Sequence, residues 1–433
     1  MDVIVIKVLI ALVGTLAFGV LYRLREQIER WPEPTRNRRL ALAFTLCRLV
    51  PFVGIYLIAG AETRSDVPLF YQAAAEALAG KLVYRDFWSP YSPLFAYLTA
   101  LPLVIWHSAK AVVLFMIGVE GLAWWLTYRL ARRQVGARAH WVALLYLVLP
   151  APLVFCVLGG QEDSWMWAFT VASLHLGRQQ PDEFRLGMWM AVVLLATKAL
   201  AVLIVAALFF WVRRPVRYVF GLAVVGLPAL AVLYLLTGTG FLTPLMFAGM
   251  LFAPNIWTVL APLTGDFMQY AGPLSTLGLL TVIAFSAVGA WRLRQQRVSY
   301  ERSLPILWLL CYGFIMVVHK SSFSNYAFIY MLPLVFSVID LTDSRQVGAL
   351  LVLNALAAIQ PSLWWSLDTP LFTNPAMLMQ GQNLLEYSME VCIVLSVAYF
   401  VWLAYTRIPT GSRPLSSVQT PHPSSTPDLK HGT

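Results

Sequence analysis

The sequence predicts an all-α protein that crosses a membrane many times, and three observations lead there. Only 12% of the 433 residues are charged and 59% are hydrophobic, whereas a water-soluble domain carries about 25% charged residues. Mean hydropathy is +0.70. Apolar runs near the length of a bilayer-spanning helix, roughly 20 residues, recur from one end of the chain to the other. The formal charge of +10 does not point to nucleic acid, because the Lys and Arg residues fall in short clusters between apolar runs and so report topology. Cys47, Cys156, Cys311 and Cys392 each sit alone, with no CxxC and no His at ligand spacing, which excludes a disulfide or metal framework of the usual kinds.

Taken in order, the expected spans are 3–22, 40–60, 111–130, 141–158, 165–177, 187–212, 218–237, 274–293, 304–318, 327–340, 347–363 and 388–406. The first has no basic leader and ends in a basic cluster, so it reads as a retained helix and not a removed signal. Clusters at Arg23 to Arg39, Arg129 to Arg138, Arg213 to Arg217 and Arg292 to Arg302 place their loops in the cytoplasm. A single helix over 187–212 would put Arg185 and Arg213 on opposite sides. Splitting it at Thr197 and Lys198 restores the charge pattern and turns Lys198 to the outer surface; a long tilted helix with a snorkelling lysine is the alternative. The expected architecture is thus a polytopic domain over 1–406 with about 11–13 membrane helices, and a Pro, Ser and Thr-rich tail over 407–433 that reads as disordered.

With that topology six cations remain outside: Arg64, Lys81, Arg85, Lys110, Lys198 and Lys320. Topology does not require them there, so they are candidates for binding an anion. Residues 61–110 form an outer segment much longer than a connection needs. Within it, 68–79 suits a short helix opened by Pro68 and closed by Gly80, and 94–106 is apolar but interrupted by Pro102; both are expected to lie at the membrane surface. Asp66 closely follows a membrane span, where a carboxylate within reach of a hydroxyl can take its proton. Glu76 and Asp86 are the other acids of the segment, and Arg85 beside Asp86 makes a plain surface pair equally well.

Two further outer segments are rich in polar groups. GGQEDS at 159–164 sets Gln161, Glu162 and Asp163 at the lip of the membrane, where acids call for hydration or pairing; capping of the next helix by Asp163 or Ser164 is the simpler account. HKSSFSNYAFIY at 319–330 gathers His319, Lys320, Ser322, Asn325 and Tyr326 at a helix start, a combination that suits phosphate or simply caps the helix. Inside the spans, Arg48 and Glu120 are expected to pair with each other, or Arg48 to meet a lipid phosphate.

These stretches, read together, resemble the GT-C glycosyltransferases. The similarity is greatest to the catalytic subunit of GPI mannosyltransferase I and to bacterial glycosyltransferase family 87. It is carried by Asp66 followed by FYQAAAEALAGKLVYRDFWSPYSPLFAYL with its YSPL at 91–94, by GGQEDS, by Thr197 with Lys198, and by SSFSNYAFIYMLPLV at 321–335, in that order over about 60% of the chain. Two departures stand out. The paired Asp-x-Asp of the mannosyltransferase branch is reduced to Asp66 after Arg64 and Ser65, and no Pro follows Lys198.

The resemblance implies a polyprenyl-phosphate sugar donor, a mannose-like hexose, a hydroxyl acceptor on a lipid or glycan, and inversion at the outer face of a bacterial cytoplasmic membrane. It implies Asp66 as general base, and Lys198, Lys320 and Arg85 as partners of the donor phosphate. Tyr84, Trp88 and Tyr91 would stack on a sugar, and Asp86, Gln161, Glu162, Asp163, His319, Ser322, Asn325 and Tyr326 would line the substrate. No cofactor is expected, with a divalent metal left open by the reduced acidic motif. A lipid-linked saccharide flippase and a non-catalytic subunit of a glycan-synthesis complex are the alternatives. Transporters tend to carry internal repeats with polar groups at matched positions, and this sequence shows neither.

Overall fold

The computed structural model describes residues 3–246, 251–265 and 270–409, so nearly all of the expected tail lies outside the described residues. Among the described residues the secondary structure is helical, apart from one isolated bridge between Val83 and Phe87. The protein is a multi-pass, all-α membrane protein. In chain order its main helices are α1 (Val3–Arg23), α2 (Thr35–Ile58), α3 (Val67–Leu78), α4 (Phe95–Val104), α5 (Ala109–Val135), α6 (Arg138–Val148) and α7 (Pro150–Leu158). There follow α8 (Ser164–Ala172), α9 (Glu183–Ala196), α10 (Ala199–Trp211), α11 (Pro215–Thr237) and α12 (Ile256–Thr264). The last five are α13 (Gly272–Gln295), α14 (Tyr300–Val318), α15 (Ser324–Val338), α16 (Ser344–Ser366) and α17 (Gly381–Thr406).

Eight of these, α1, α2, α5, α11, α13, α14, α16 and α17, are long and apolar enough to cross a bilayer, and the pair α6 and α7, bent by 57°, makes a ninth if counted as one span. The apolar run at 187–212 is the expected pair of short segments, α9 and α10, and the runs at 165–177 and 327–340 are α8 and α15, likewise shorter than a full span. Short helices are tolerated at membrane depth where other helices, not lipid, surround their ends, and α8 and α15 are almost wholly buried. The expected helices of the first long loop form over Val67–Leu78 and Phe95–Val104, with Pro68 in the first turn of α3 and Gly80 in a left-handed conformation just past its end.

Burial grades from the centre outward. In α14 72% of the most apolar window is buried, against 11% in α1 and 6% in α11, whose Leu16 and Leu235 point away from the protein as lipid-facing residues do. The bend between α6 and α7 falls at Pro150, which supplies no N–H to the preceding turn. Helices α9 and α11 touch backbone to backbone: a Cβ on Gly187 would collide with the Tyr218 carbonyl, and one on Gly221 with the Phe184 carbonyl.

The expected partnership in the core is present. Arg48 reaches Glu120 through Nε at 2.7 Å and Nη2 at 2.9 Å, and Tyr146 donates to the same carboxylate at 3.0 Å. A further guanidinium N–H meets the Leu147 carbonyl at 3.0 Å. Both charges are fully buried, so the pair survives only because almost every polar atom is matched.

Candidate functional site

The break expected at Thr197 and Lys198 is real. Helix α9 ends at Ala196, Lys198 is extended with φ −123° and ψ 150°, and a 3₁₀ turn begins α10 at Ala199. The extended residue leaves the helical path, and its side chain is free to reach sideways. The Lys198 ammonium lies 2.5 Å from Glu162 Oε1 and 2.6 Å from Asp163 Oδ1, in the link between α7 and α8. Both acids are buried and the lysine is 18% exposed. Asp163 stands at the N-cap position of α8, yet its side chain makes no cap hydrogen bond; it serves the lysine instead. The rings of Tyr91 and Tyr326 flank the ammonium at 5.7 and 5.5 Å, close enough for cation–π attraction.

Burial pushes the Glu162 carboxyl up to about 7; the Lys198 ammonium opposes that rise, and Asp163 and Asp66 add to it. Asp163 is raised for the same first reason. The GGQEDS link is held by Gly160, which has φ +56° and lies so close to Val67 that a side chain would strike the valine methyl. That contact docks the start of α3 against the link.

Asp66 sits at the head of α3, half-buried, and like Asp163 it makes no cap hydrogen bond. Gln161 Nε2 donates to Asp66 Oδ2 at 2.9 Å and to Ser65 Oγ at 3.0 Å, while Gln161 Oε1 accepts from Asn325 Nδ2 at 2.8 Å. One glutamine therefore ties together three segments of chain. Ser65 itself is left-handed, with φ 59°, an uncommon state for a residue other than glycine and one often met at functional sites. Asp66 Oδ1 has no partner among the described residues. The first loop is pinned to the broken helix by Leu94 N–H donating to the Leu195 carbonyl at 2.9 Å. Tyr91 is fixed by stacking on Phe95 at 4.5 Å and by the edge of Phe70 at 5.2 Å.

Asp66, Tyr91, Gln161, Glu162, Asp163, Lys198, Asn325 and Tyr326 thus converge. Other expected residues do not join them. Arg85 is engaged with Asp86 in an exposed pair, and that pairing with the Leu82 N–H holds Asp86 at about 2. Tyr84 donates to the Tyr91 carbonyl and so braces the loop. Ser322 donates back to the Ile315 carbonyl at 2.9 Å, and His319 Nδ1 accepts from the Ser321 N–H at 3.1 Å, both local bonds. Burial, then the adjacent Lys320, lowers the His319 imidazole. Trp88 is 44% exposed. Lys320 contributes its carbonyl to Phe252 and Asn255, and no carboxylate meets its ammonium among the described residues. Among the described residues no three acidic, His or Cys side chains group as metal ligands would.

Sequence reading missed a cleft of about 400 Å³ that opens beside Ser65, Gln161 and Asn325. Its walls are apolar, with Ile6, Ile55, Phe155 and Trp365 among them, and Lys7, Arg64 and Glu62 supply its charges. Neither Lys7 nor Arg64 has an acidic partner among the described residues. A lysine within α1 attracts notice on its own, since an unpaired cation at membrane depth is costly. A second missed feature lies behind Asn325: Ser324 donates to Gln360, Gln360 to Glu386 at 2.7 Å, and Thr258 to Glu390 at 2.8 Å, all buried.

Fold and site together define a multi-pass membrane protein with a charged, partly buried site at one end of its bundle. No protein-family model matches the chain, and no curated protein matches it significantly.

Proposed function

We propose that the protein is a membrane glycosyltransferase of the GT-C kind, transferring a hexose from a polyprenyl-phosphate sugar to a hydroxyl acceptor at the outer face. The observation that carries this is the convergence of Asp66, with one carboxylate oxygen lacking a hydrogen-bond partner among the described residues, and the Lys198 cluster beside a cleft that is apolar along its walls and holds two cations, Lys7 and Arg64, against one acid, Glu62. An amphiphile with a phosphate head has that division of character. In a single displacement, Asp66 Oδ1 takes the acceptor hydroxyl proton as the acceptor oxygen bonds to the sugar carbon. The bond from that carbon to the phosphate oxygen breaks, and the lipid phosphate leaves with the electron pair.

In this reading the other residues take roles different from those the resemblance implies. Lys198 is answered by two carboxyl groups, so it has no positive charge to spare for a phosphate, and its task is to brace the broken helix against the α7–α8 link. Arg64 and Lys7, which form no ion pair among the described residues, are the cations suited to the leaving phosphate. Gln161 orients Asp66.

The test is to incubate purified protein with a panel of polyprenyl-phosphate sugars and an acceptor lipid extract, scoring release of polyprenyl phosphate. Release by the native protein and none by Asp66→Asn, with both equally folded, supports the proposal. Equal release by Asp66→Asn removes the base assigned here, and no release from any donor removes the reaction.

A further inference from the structure

At the opposite end of α9 and α10 from Lys198, about 20 Å away by helix rise, three segments enclose a second cleft of about 530 Å³. Five arginines line it: Arg213, Arg214 and Arg217 from the α10–α11 junction, and Arg294 and Arg297 from the end of α13. Two carboxylates face them. Asp182 meets Arg217 at 3.2 Å, and Glu183 is spent on backbone, its Oε1 accepting from the N–H groups of Arg213 and Arg214 at 2.8 and 2.9 Å. The Arg213 guanidinium is oriented on the Gln180 side-chain carbonyl, a neutral group. Arg214, Arg294 and Arg297 have no acidic partner among the described residues.

A positive membrane edge needs basic residues in its loops, but it does not need guanidiniums from separate helices to turn into one cavity, where like charges repel. Their convergence is favourable once a multivalent anion sits among them. Glu183 already shows the preference: a carboxylate occupies the pair of N–H groups that opens α11. Forked guanidiniums match phosphate oxygens in pairs. Immediately beside the cleft, Val216, Phe220 and Trp291 are 81%, 63% and 51% exposed, a lipid-facing rim around the charged mouth.

We propose that this cleft is a binding site for a multiply charged phosphate group, supplied by an anionic lipid headgroup at the membrane boundary or by a soluble phosphate compound, and separate from the site around Asp66. The full chain would be placed in phosphatidylcholine nanodiscs and titrated in parallel with short-chain phosphatidic acid and with inorganic pyrophosphate. Binding of phosphatidic acid alone identifies a lipid headgroup; binding of both, or of pyrophosphate alone, identifies a soluble ligand; either supports the site. Arg294→Gln/Arg297→Gln, or Arg214→Gln if that pair inserts poorly, should weaken binding about tenfold or more, as expected for losing charge-assisted hydrogen bonds. Arg30→Gln/Arg38→Gln removes the same charge from another exposed basic segment and should change affinity less than twofold. Equal weakening by both pairs shows diffuse attraction to a basic surface and overturns the proposal, as does the absence of binding by either probe.

Discussion

Replacing Lys198 by Met keeps the length of the side chain and removes its charge. At an effective dielectric of about 20, an ion pair at the separations seen here contributes about 6 kcal/mol of attraction, and Lys198 makes two, at 2.5 and 2.6 Å. Most of that is consumed in desolvating three charges, and removing one member of a buried pair costs about 3–5 kcal/mol net, because the remaining charge is stranded. Here two carboxylates are stranded, both almost inaccessible to solvent, so Lys198→Met belongs at the upper end. The loss must depend on pH. A carboxyl whose folded value is raised stabilises the fold below its unfolded value and loses that contribution as pH rises through the folded one. Glu162 stands at about 7 even with the lysine present, and without it the value moves higher. The variant is therefore nearest to native stability around pH 6 and weakest around pH 8.5. Unfolding by sodium dodecyl sulfate in mixed micelles, followed by tryptophan fluorescence, measures both figures. The triple variant Glu162→Gln/Asp163→Asn/Lys198→Met, which strands no charge, should recover most of the loss. A single variant as stable as the native protein at the higher pH would refute the reasoning.

Four further outcomes are expected. Gln161→Leu frees Asp66 and Asn325 from each other and should lower the transfer rate about tenfold while leaving donor affinity within twofold, as expected for a lost orienting hydrogen bond; steady-state kinetics separate the two. Glu120→Gln leaves Arg48 buried without its counter-charge and should cost about 3–5 kcal/mol in the same unfolding assay, whereas Arg85→Gln, at an exposed and solvent-screened pair, should leave the unfolding curve unchanged. Gly160→Ala, which meets Val67 from a left-handed backbone, should displace the link carrying Gln161 and abolish transfer with the protein still inserted, as judged by its yield in membranes. On the acid side, Asp340 and Asp343 are held below the ordinary carboxylate value of 3.8, Asp340 chiefly by the N–H and hydroxyl of Thr342 just before α16 and Asp343 chiefly by the Arg345 N–H in its first turn. Their contribution is full above that value and is lost as pH falls, so a thermal scan should show α16 loosening first below about pH 4.

The membrane architecture was legible because hydropathy and loop charge act locally: α1, α2 and α5 start or end within a few residues of where the apolar runs and basic clusters place them. The split at Thr197 and Lys198 was legible for a less direct reason. Arg185 and Arg213 cannot sit on opposite sides without cost, and that constraint located a break that helix propensity alone does not mark. The burial of α8 and α15 was not legible, since composition cannot tell a helix bathed in lipid from one wrapped by other helices. The site was legible as a set of segments and not as a set of contacts. Asp163 reads as a helix cap until Lys198 arrives from another segment, and Gln161 looks incidental until Asp66 and Asn325 are seen on its two ends. Arg64 was legible only as one of six outer cations, and Lys7 was passed over, because an isolated cation acquires meaning only from the wall it faces.

The contact between Gly187 and Gly221 sets the alignment of such a site. Two helices that meet with no side chains between them cannot roll independently, so α9 and α11 form a slab, and the height at which Lys198 leaves it is fixed by both. A single added methyl at either glycine would act as a shim, prying the slab open and tilting the ammonium away from its acids. The chemistry at one end of the molecule thus inherits its alignment from two residues that carry no chemistry at all.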